Sequence, residues 1–432
     1  VYNMAPTRDV LAQSDFPLYT VQALGSSHFL VAGGGGQAKT GVPNVIEIFE
    51  LKQTEDKVLA SSICRHDTGT DAVMNCASFY DGRNHFIACG QEEKCHLYSV
   101  KYKVITPKKE SSETNTGEAK KRKGKADKTD KDDKANSEKK ADANSKTPNG
   151  TKQLTFELEC LKSVQTDFEK DGGFQKVVRF SLDRTLVITG GAEGFLRVWK
   201  YPEMKMAYET KAHKSDIDDL DISPSGDKIV TVSRDNTGCV WNTKNGTKHS
   251  DLAWDYSEAA QYRFRCCRYG SIENKKDKYN LYTVSIPIKR SSSNPQPCFI
   301  LMWDKDTFKV KRGANAGTEV LSALAVSDDG VYLGVGSISG SVSVYISFSL
   351  KKLYHVKEAH SIFVTGLDFL PASEATRAIV GQQDFSLLSV SADNTVRLHQ
   401  TPERGFISIV WILAVVILLI FILFWMMAEM GV

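Results

Sequence analysis

Between the N-terminus and Thr401 the apolar residues fall in short alternating runs separated by turn residues. That is the pattern of many half-buried β-strands rather than of helices with a 3.6-residue stripe. Seven of the runs share a form, a small or polar residue leading into an apolar-aromatic strand: Val45-Ile46-Glu47-Ile48-Phe49, Cys95-His96-Leu97-Tyr98, Phe195-Leu196-Arg197-Val198-Trp199, Gly238-Cys239-Val240-Trp241, Ile300-Leu301-Met302-Trp303-Asp304, Ser341-Val342-Ser343-Val344-Tyr345 and Thr395-Val396-Arg397-Leu398-His399. They recur at roughly 40 to 60 residues, except for one gap near 100 that holds a charged stretch, Thr106 to Lys152. With that stretch set aside, the period is that of four-stranded blades. The pattern predicts an all-β, seven-bladed β-propeller over 16–401, preceded by an N-terminal extension 1–15.

The pattern changes at the other end. From Gly405 to Ala428 the chain carries no charge, and at roughly 1.5 Å per residue a helix of that length crosses a hydrocarbon layer of roughly 30 Å. Trp411 and Trp425 lie toward its two ends, Arg397 and Arg404 precede it and Glu429 follows. Interfacial rings and the positive-inside bias predict a single transmembrane helix with the propeller in the cytosol, a juxtamembrane linker 402–404 and a short lumenal tail 429–432. No N-terminal signal sequence is evident, so the sequons at Asn149 and Asn245 are expected to be unused.

Composition sharpens this reading in two places. The formal net charge of +3 is uneven, because 106–152 contains 14 basic and 9 acidic residues and the remainder is near neutral. A stretch so charged and without an aromatic residue is expected to be a disordered loop leaving the second blade. Outside it there is no concentrated basic face of the kind a duplex-binding domain uses. The nine cysteines form no CxxC pair and sit mostly among apolar residues, which points to a reducing compartment.

The least ordinary segment is Gly33-Gly34-Gly35-Gly36-Gln37-Ala38-Lys39-Thr40-Gly41-Val42-Pro43-Asn44. It nearly spells the phosphate-cradling GxxxxGK[ST], but Ala38 stands where the last Gly belongs, and Pro43 and a β-type run follow instead of a helix. Consecutive glycines let a backbone turn its carbonyls inward without Cβ clashes, either as a plain connection between strands or as a cage for a hard cation such as potassium.

Ala212-His213, Asp219-Leu220, Ser223-Pro224-Ser225-Gly226 and Ser233-Arg234-Asp235-Asn236 before Trp241 resemble the WD-repeat family, and Ala359-His360 through Asp393-Asn394 repeats the plan. That resemblance implies a structural role for His213, His360, Asp235 and Asp393 in hydrogen-bond networks that stiffen their blades. A more specific resemblance rests on Phe16-Pro17-Leu18-Tyr19, the loop GGGGQAKTGVPN, the blades, the charged insert and the C-terminal run. Together they are similar to the endoplasmic-reticulum exchange-factor family that activates the Sar-type small GTPase of the COPII coat. The resemblance implies guanine nucleotide exchange without covalent chemistry, with COPII coat assembly factors and the endoplasmic reticulum membrane as further partners. It also implies Asn44, Pro43 and Val42 as the GTPase-contacting exchange residues, and potassium held by backbone oxygens within Gly33, Gly34, Gly35, Gly36, Thr40 and Gly41. The first residues, Val1-Tyr2-Asn3 before Met4, do not read as a native start. Two other classes compete: a DNA-binding transcriptional regulator using the Lys-rich insert, against which the C-terminal run argues, and a passive WD-type scaffold.

Overall fold

The computed structural model describes residues 10–38, 40–54, 57–105, 153–170, 172–272, 275–291, 293–402 and 409–429. Its strands form seven four-stranded antiparallel sheets. In chain order the blades are Leu18–Ala23, His28–Gly33, Val45–Gln53 and Val58–Asp67; then Val73–Tyr80, His85–Gln91, Lys94–Ile105 and Gln153–Gln165; then Gln175–Phe180, Leu186–Gly191, Phe195–Lys200 and Lys205–Lys211. The fourth is Ile217–Ile222, Lys228–Ser233, Gly238–Asn242 and Lys248–Asp251, and the fifth is Tyr262–Ile272, Lys275–Pro287, Cys298–Trp303 and Val310–Gly317. The sixth is Leu321–Val326, Tyr332–Ser337, Val342–Ile346 and Lys351–Val356. The seventh takes Val364–Phe369, Gln383–Ser391 and Thr395–Pro402 from the end of the propeller and its fourth strand, Val10–Gln13, from the beginning.

Each of the seven signature runs is the third strand of a blade. The third strand lies inside its sheet and is covered on both faces, so it reads as the most apolar. Leu196 and Val198, for instance, have no exposed surface. The core follows the same plan: seven apolar clusters lie one between each pair of neighbouring blades. One of them joins Leu18, Val21 and Phe29 of the first blade to Leu388, Val390 and Val396 of the seventh and so closes the ring. Each fully buried Val, Leu or Ile contributes about 1.5 to 3 kcal/mol.

The N-terminal boundary is corrected. Residues 10–13 are not part of an extension but the outer strand of the seventh blade, with Val10, Ala12 and Gln13 paired to Arg397, Val396 and Thr395. Four residues are too short to show alternation, and what fixes them is the open edge that an unfinished blade would otherwise expose. The stretch 106–152 lies outside the described residues, but its flanks Ile105 and Gln153 pair directly, so it joins the third and fourth strands of the second blade. A short helix, α1 (Glu374–Val380), lies within the seventh blade and is capped by Ser373, whose Oγ accepts the Thr376 amide at 3.1 Å.

The C-terminal run is helical, α2 (Ile409–Glu429), over 21 residues. Its described apolar side chains, among them Leu413, Ile417, Leu419 and Phe421, are exposed. Among the described residues no helix meets the length and apolarity of a membrane span; part of the apolar run, 405–408, falls outside them.

Candidate functional site

Alternating strand directions sort the loops onto two faces. In every blade the first strand starts, and the second ends, on one face, called here the entry face; the third strand ends on the opposite one. The glycine segment joins the second and third strands of the first blade and so lies on the entry face. Pro402 ends a third strand, so the chain leaves the propeller toward α2 from the opposite face. The paired flanks of 106–152 lie on that opposite face as well.

The glycine segment is a folded loop rather than a loose connection. A Cβ on Gly33 would lie 1.9 Å from the Pro17 carbonyl oxygen, and the Gly34 amide donates to that oxygen at 3.0 Å. Gly34 has φ +141°, and a Cβ there would lie 2.2 Å from Asn44 Oδ1. Both positions therefore exclude any side chain.

Asn44, 4% exposed, holds the loop shut. Its Oδ1 accepts the Gly36 amide at 2.8 Å, and its Nδ2 donates to the carbonyls of Gly36 at 3.2 Å and Gly69 at 3.0 Å. Its own carbonyl accepts the Thr68 amide at 2.9 Å. Val42 is half-buried against the cluster that closes the ring, and Pro43 is half-buried beside it. Among the described residues, the exposed part of the loop consists of Gln37, Ala38, Thr40 and Gly41.

The expected residues are thus gathered in one place, but not all face outward. Asn44 is turned into the loop with each of its amide atoms engaged, while the described tip is carried by Thr40 and Gly41, expected only as cation ligands, and by Gln37 and Ala38, which were given no role. The adjoining connection, residues 68–72, was not expected to take part. There Gly69 receives Asn44, and the Asp71 carboxylate accepts from Gln37 Nε2 at 3.2 Å and Thr70 Oγ1 at 3.0 Å. Its only sequence signal was Asp67-Thr68-Gly69, an ordinary turn, in which Asp67 Oδ1 takes the Gly69 amide at 2.7 Å. The strand Val45–Gln53 follows the loop directly, so no helix N-terminus stands behind the glycines as a phosphate cradle would require.

The histidines and aspartates set aside as structural occupy that role. His213 meets Asp235 at 3.2 Å, Thr237 at 2.9 Å and Thr231 at 2.7 Å, and Trp241 donates to the same Thr231 hydroxyl at 2.8 Å. His360 repeats this with Asp393, Thr395 and Ser389.

Comparison with known proteins follows this geometry. A WD domain, G-beta repeat, matches residues 204–242, a window that runs from the end of the third blade through the third strand of the fourth. Among solved structures, the WD40 propeller domain of Doa1 aligns with 94% of this chain and 99% of that one at TM-score 0.55 and 12% identity. Raptor of Chaetomium thermophilum aligns with 93% of this chain and 29% of that one at TM-score 0.60 and 11% identity. These two establish the fold alone. The rat guanine nucleotide-exchange factor SEC12 is 37% identical over 409 residues, which is 93% of each chain, and the mouse protein is equally similar. The chain belongs to the SEC12 guanine nucleotide-exchange factor family. The SEC12-like protein 2 of Arabidopsis thaliana is 28% identical over 55% of this chain and 54% of its own. Membership in the SEC12 family supports nucleotide exchange, not the transcriptional alternative, and exchange proceeds by binding rather than by covalent chemistry.

Proposed function

We propose that this chain accelerates GDP release from a Sar-type small GTPase at the endoplasmic reticulum membrane and so begins COPII coat assembly, with the loop Gly33–Asn44 as the element that engages the GTPase. The observation that carries this reading is the loop itself: an exposed tip on a rigid propeller, held in one shape by a buried asparagine. A preformed finger of this kind favours the nucleotide-free state if it fits that state better than the GDP-bound one, and GTP then takes the empty pocket. Asn44 sets the loop's shape, and Val42 and Pro43 set the angle at which it leaves the blade. The deciding measurement is release of a fluorescent GDP analogue from the purified GTPase with and without the full chain. Acceleration that grows with chain concentration supports the proposal, and an unchanged rate removes it.

α2 is assigned as the membrane anchor. Large apolar side chains exposed around such a helix are unfavourable in water and favourable in lipid. An anchor there places activation beside the bilayer and raises the local concentration of the activated GTPase.

Potassium fits the loop's chemistry. The oxygens within the loop are neutral, namely its carbonyls and the Thr40 hydroxyl; the carbonyls of Gly36 and of the adjoining Gly69 keep a second lone pair after accepting from Asn44, while the neighbouring Asp71 carboxylate is taken up by Gln37 and Thr70. Such a set suits a monovalent cation better than calcium or magnesium, which draw carboxylates into their shells. The ion would hold the tip, while Asn44 holds the base. Replacing potassium by lithium is expected to speed amide hydrogen exchange at Gln37 to Gly41 and to slow GDP release several-fold. Identical exchange protection in the two salts rules the ion out.

A further inference from the structure

At the centre of the entry face the first strands of the blades surround a channel. Its mouth is an open depression of about 480 Å³ where Arg234, Arg263, Arg265 and Arg290 meet Ile338 and Phe363. Three of the arginines converge on one carboxylate, Asp218, whose side chain is only 2% exposed: Arg265 at 3.0 Å, Arg234 at 3.1 Å, and Arg263 through a hydrogen bond. Asp216 beside it takes Lys176 at 3.2 Å and Arg234 at 3.5 Å. Arg290 is exposed and forms no hydrogen bond or ion pair with a described residue.

Five cations at the mouth therefore face two carboxylates. The layer below does not absorb the excess, because Arg179 and Arg268 there are already engaged with Asp219 and Asp221. Asp368, at the level of Asp221 on its own strand, is held by the amides of Ala23 and Phe369. An uncompensated group of guanidiniums in a recess focuses a positive potential outward and draws an anion into it. The rim adds a second feature, since Ile338 and Phe363 are 42% and 44% exposed beside the arginines. Arginine next to an exposed aromatic is the composition of a protein contact centre.

We propose that the channel mouth is a second docking site on the entry face, which takes an acidic side chain of the GTPase while an apolar neighbour of that side chain rests on Ile338 and Phe363. This rests on the exchange function proposed above and adds where the same partner is held. A lipid phosphate is disfavoured by placement, because the chain leaves toward α2 from the opposite face, so an anchored propeller turns this mouth away from its own bilayer. A nucleic-acid duplex does not fit a recess whose floor is a buried carboxylate.

The test uses the full chain with Arg290→Glu, which breaks no described ion pair, and with Arg234→Glu combined with Arg290→Glu. Removing charge from a contact rim acts on association and its salt dependence. The single variant is expected to raise the GTPase concentration for half-maximal exchange about threefold and the double variant about tenfold, with a flatter dependence on sodium chloride and a maximal rate within about twofold of wild type. Arg290→Glu that matches wild type in both half-saturation and salt dependence overturns the proposal while leaving the exchange function standing. So does unchanged GTPase saturation when added phosphatidylserine vesicles bind the wild-type chain held in phosphatidylcholine liposomes but not the variant, which would assign the mouth to lipid. A wild-type chain that accelerates no GDP release removes both readings together.

Discussion

Asn44→Ala is expected to slow GDP release about 10- to 100-fold while shifting the melting temperature of the propeller little. The substitution deletes three hydrogen bonds at once, one accepted from the Gly36 amide and two donated to the Gly36 and Gly69 carbonyls. Each contributes about 1 kcal/mol net, and the freed backbone groups, beside an exposed tip, regain water in part. The loss of about 1 to 3 kcal/mol falls on the loop's closed shape rather than on the sheets. If only that shape engages the GTPase, its population sets the rate. Asn44→Asp separates bracing from charge effects, because it keeps an acceptor for Gly36 N–H but turns carboxylate oxygen toward two carbonyls, so it should be no better than alanine. Faster amide exchange at Gly36 in either variant would identify Asn44 as a positioning residue. Full exchange activity in Asn44→Ala despite lost protection at that amide would sink the loop mechanism.

The same residue illustrates what could be read before the structure was known. The seven third strands were legible because a strand covered on both faces must be apolar nearly throughout, and a Phe, Trp, Tyr or His toward its end marks the register. The glycine loop stood out for a related reason: backbone passing within contact of Pro17 and Asn44 leaves no room for Cβ, and only glycine satisfies that. The direction of Asn44 was not legible, since an asparagine after Pro reads equally well as a surface donor or as an internal brace. Nor was the channel mouth. Arg263 and Arg265 alternate on one strand, which marks them as sharing a face, but their common target Asp218 lies on the neighbouring blade. The closing strand Val10–Gln13 was hidden because its partner is nearly the whole propeller away in sequence. What pattern reveals is how each strand is buried; what it conceals is which strands the ring makes neighbours.

The largest expected effect on stability concerns acid. In the third, fourth and fifth blades the third strand carries Trp199, Trp241 and Trp303, each donating its indole N–H to a threonine hydroxyl on the second strand, at 2.9, 2.8 and 2.8 Å. The seventh blade places His399 there, 2% exposed, with Nε2 at 2.8 Å from Ser389 Oγ and Nδ1 at 3.1 Å from Tyr354 Oη. Burial pushes its pKa down to about 3, helped by His360 and Arg397 nearby. A histidine free in the unfolded chain titrates near 6.5, so between about pH 3 and 6.5 the unfolded state binds a proton that the folded state refuses. Stability therefore rises with pH across that window and is lost as pH falls below about 6.5, by about 1.4 kcal/mol per unit for this one group. Burial lowers His28, His85 and His213 in the same direction, so their contributions add rather than cancel. His399→Gln keeps a donor for Ser389 without a titrating proton, and the slope of unfolding free energy between pH 5 and 6 is expected to fall by about 1.4 kcal/mol per unit relative to wild type. Urea titrations at pH 5, 6 and 7 measure it. Equal slopes for the two proteins would mean that His399 takes up its proton in the folded state, and that the seventh blade opens to water where the third, fourth and fifth are sealed by tryptophan.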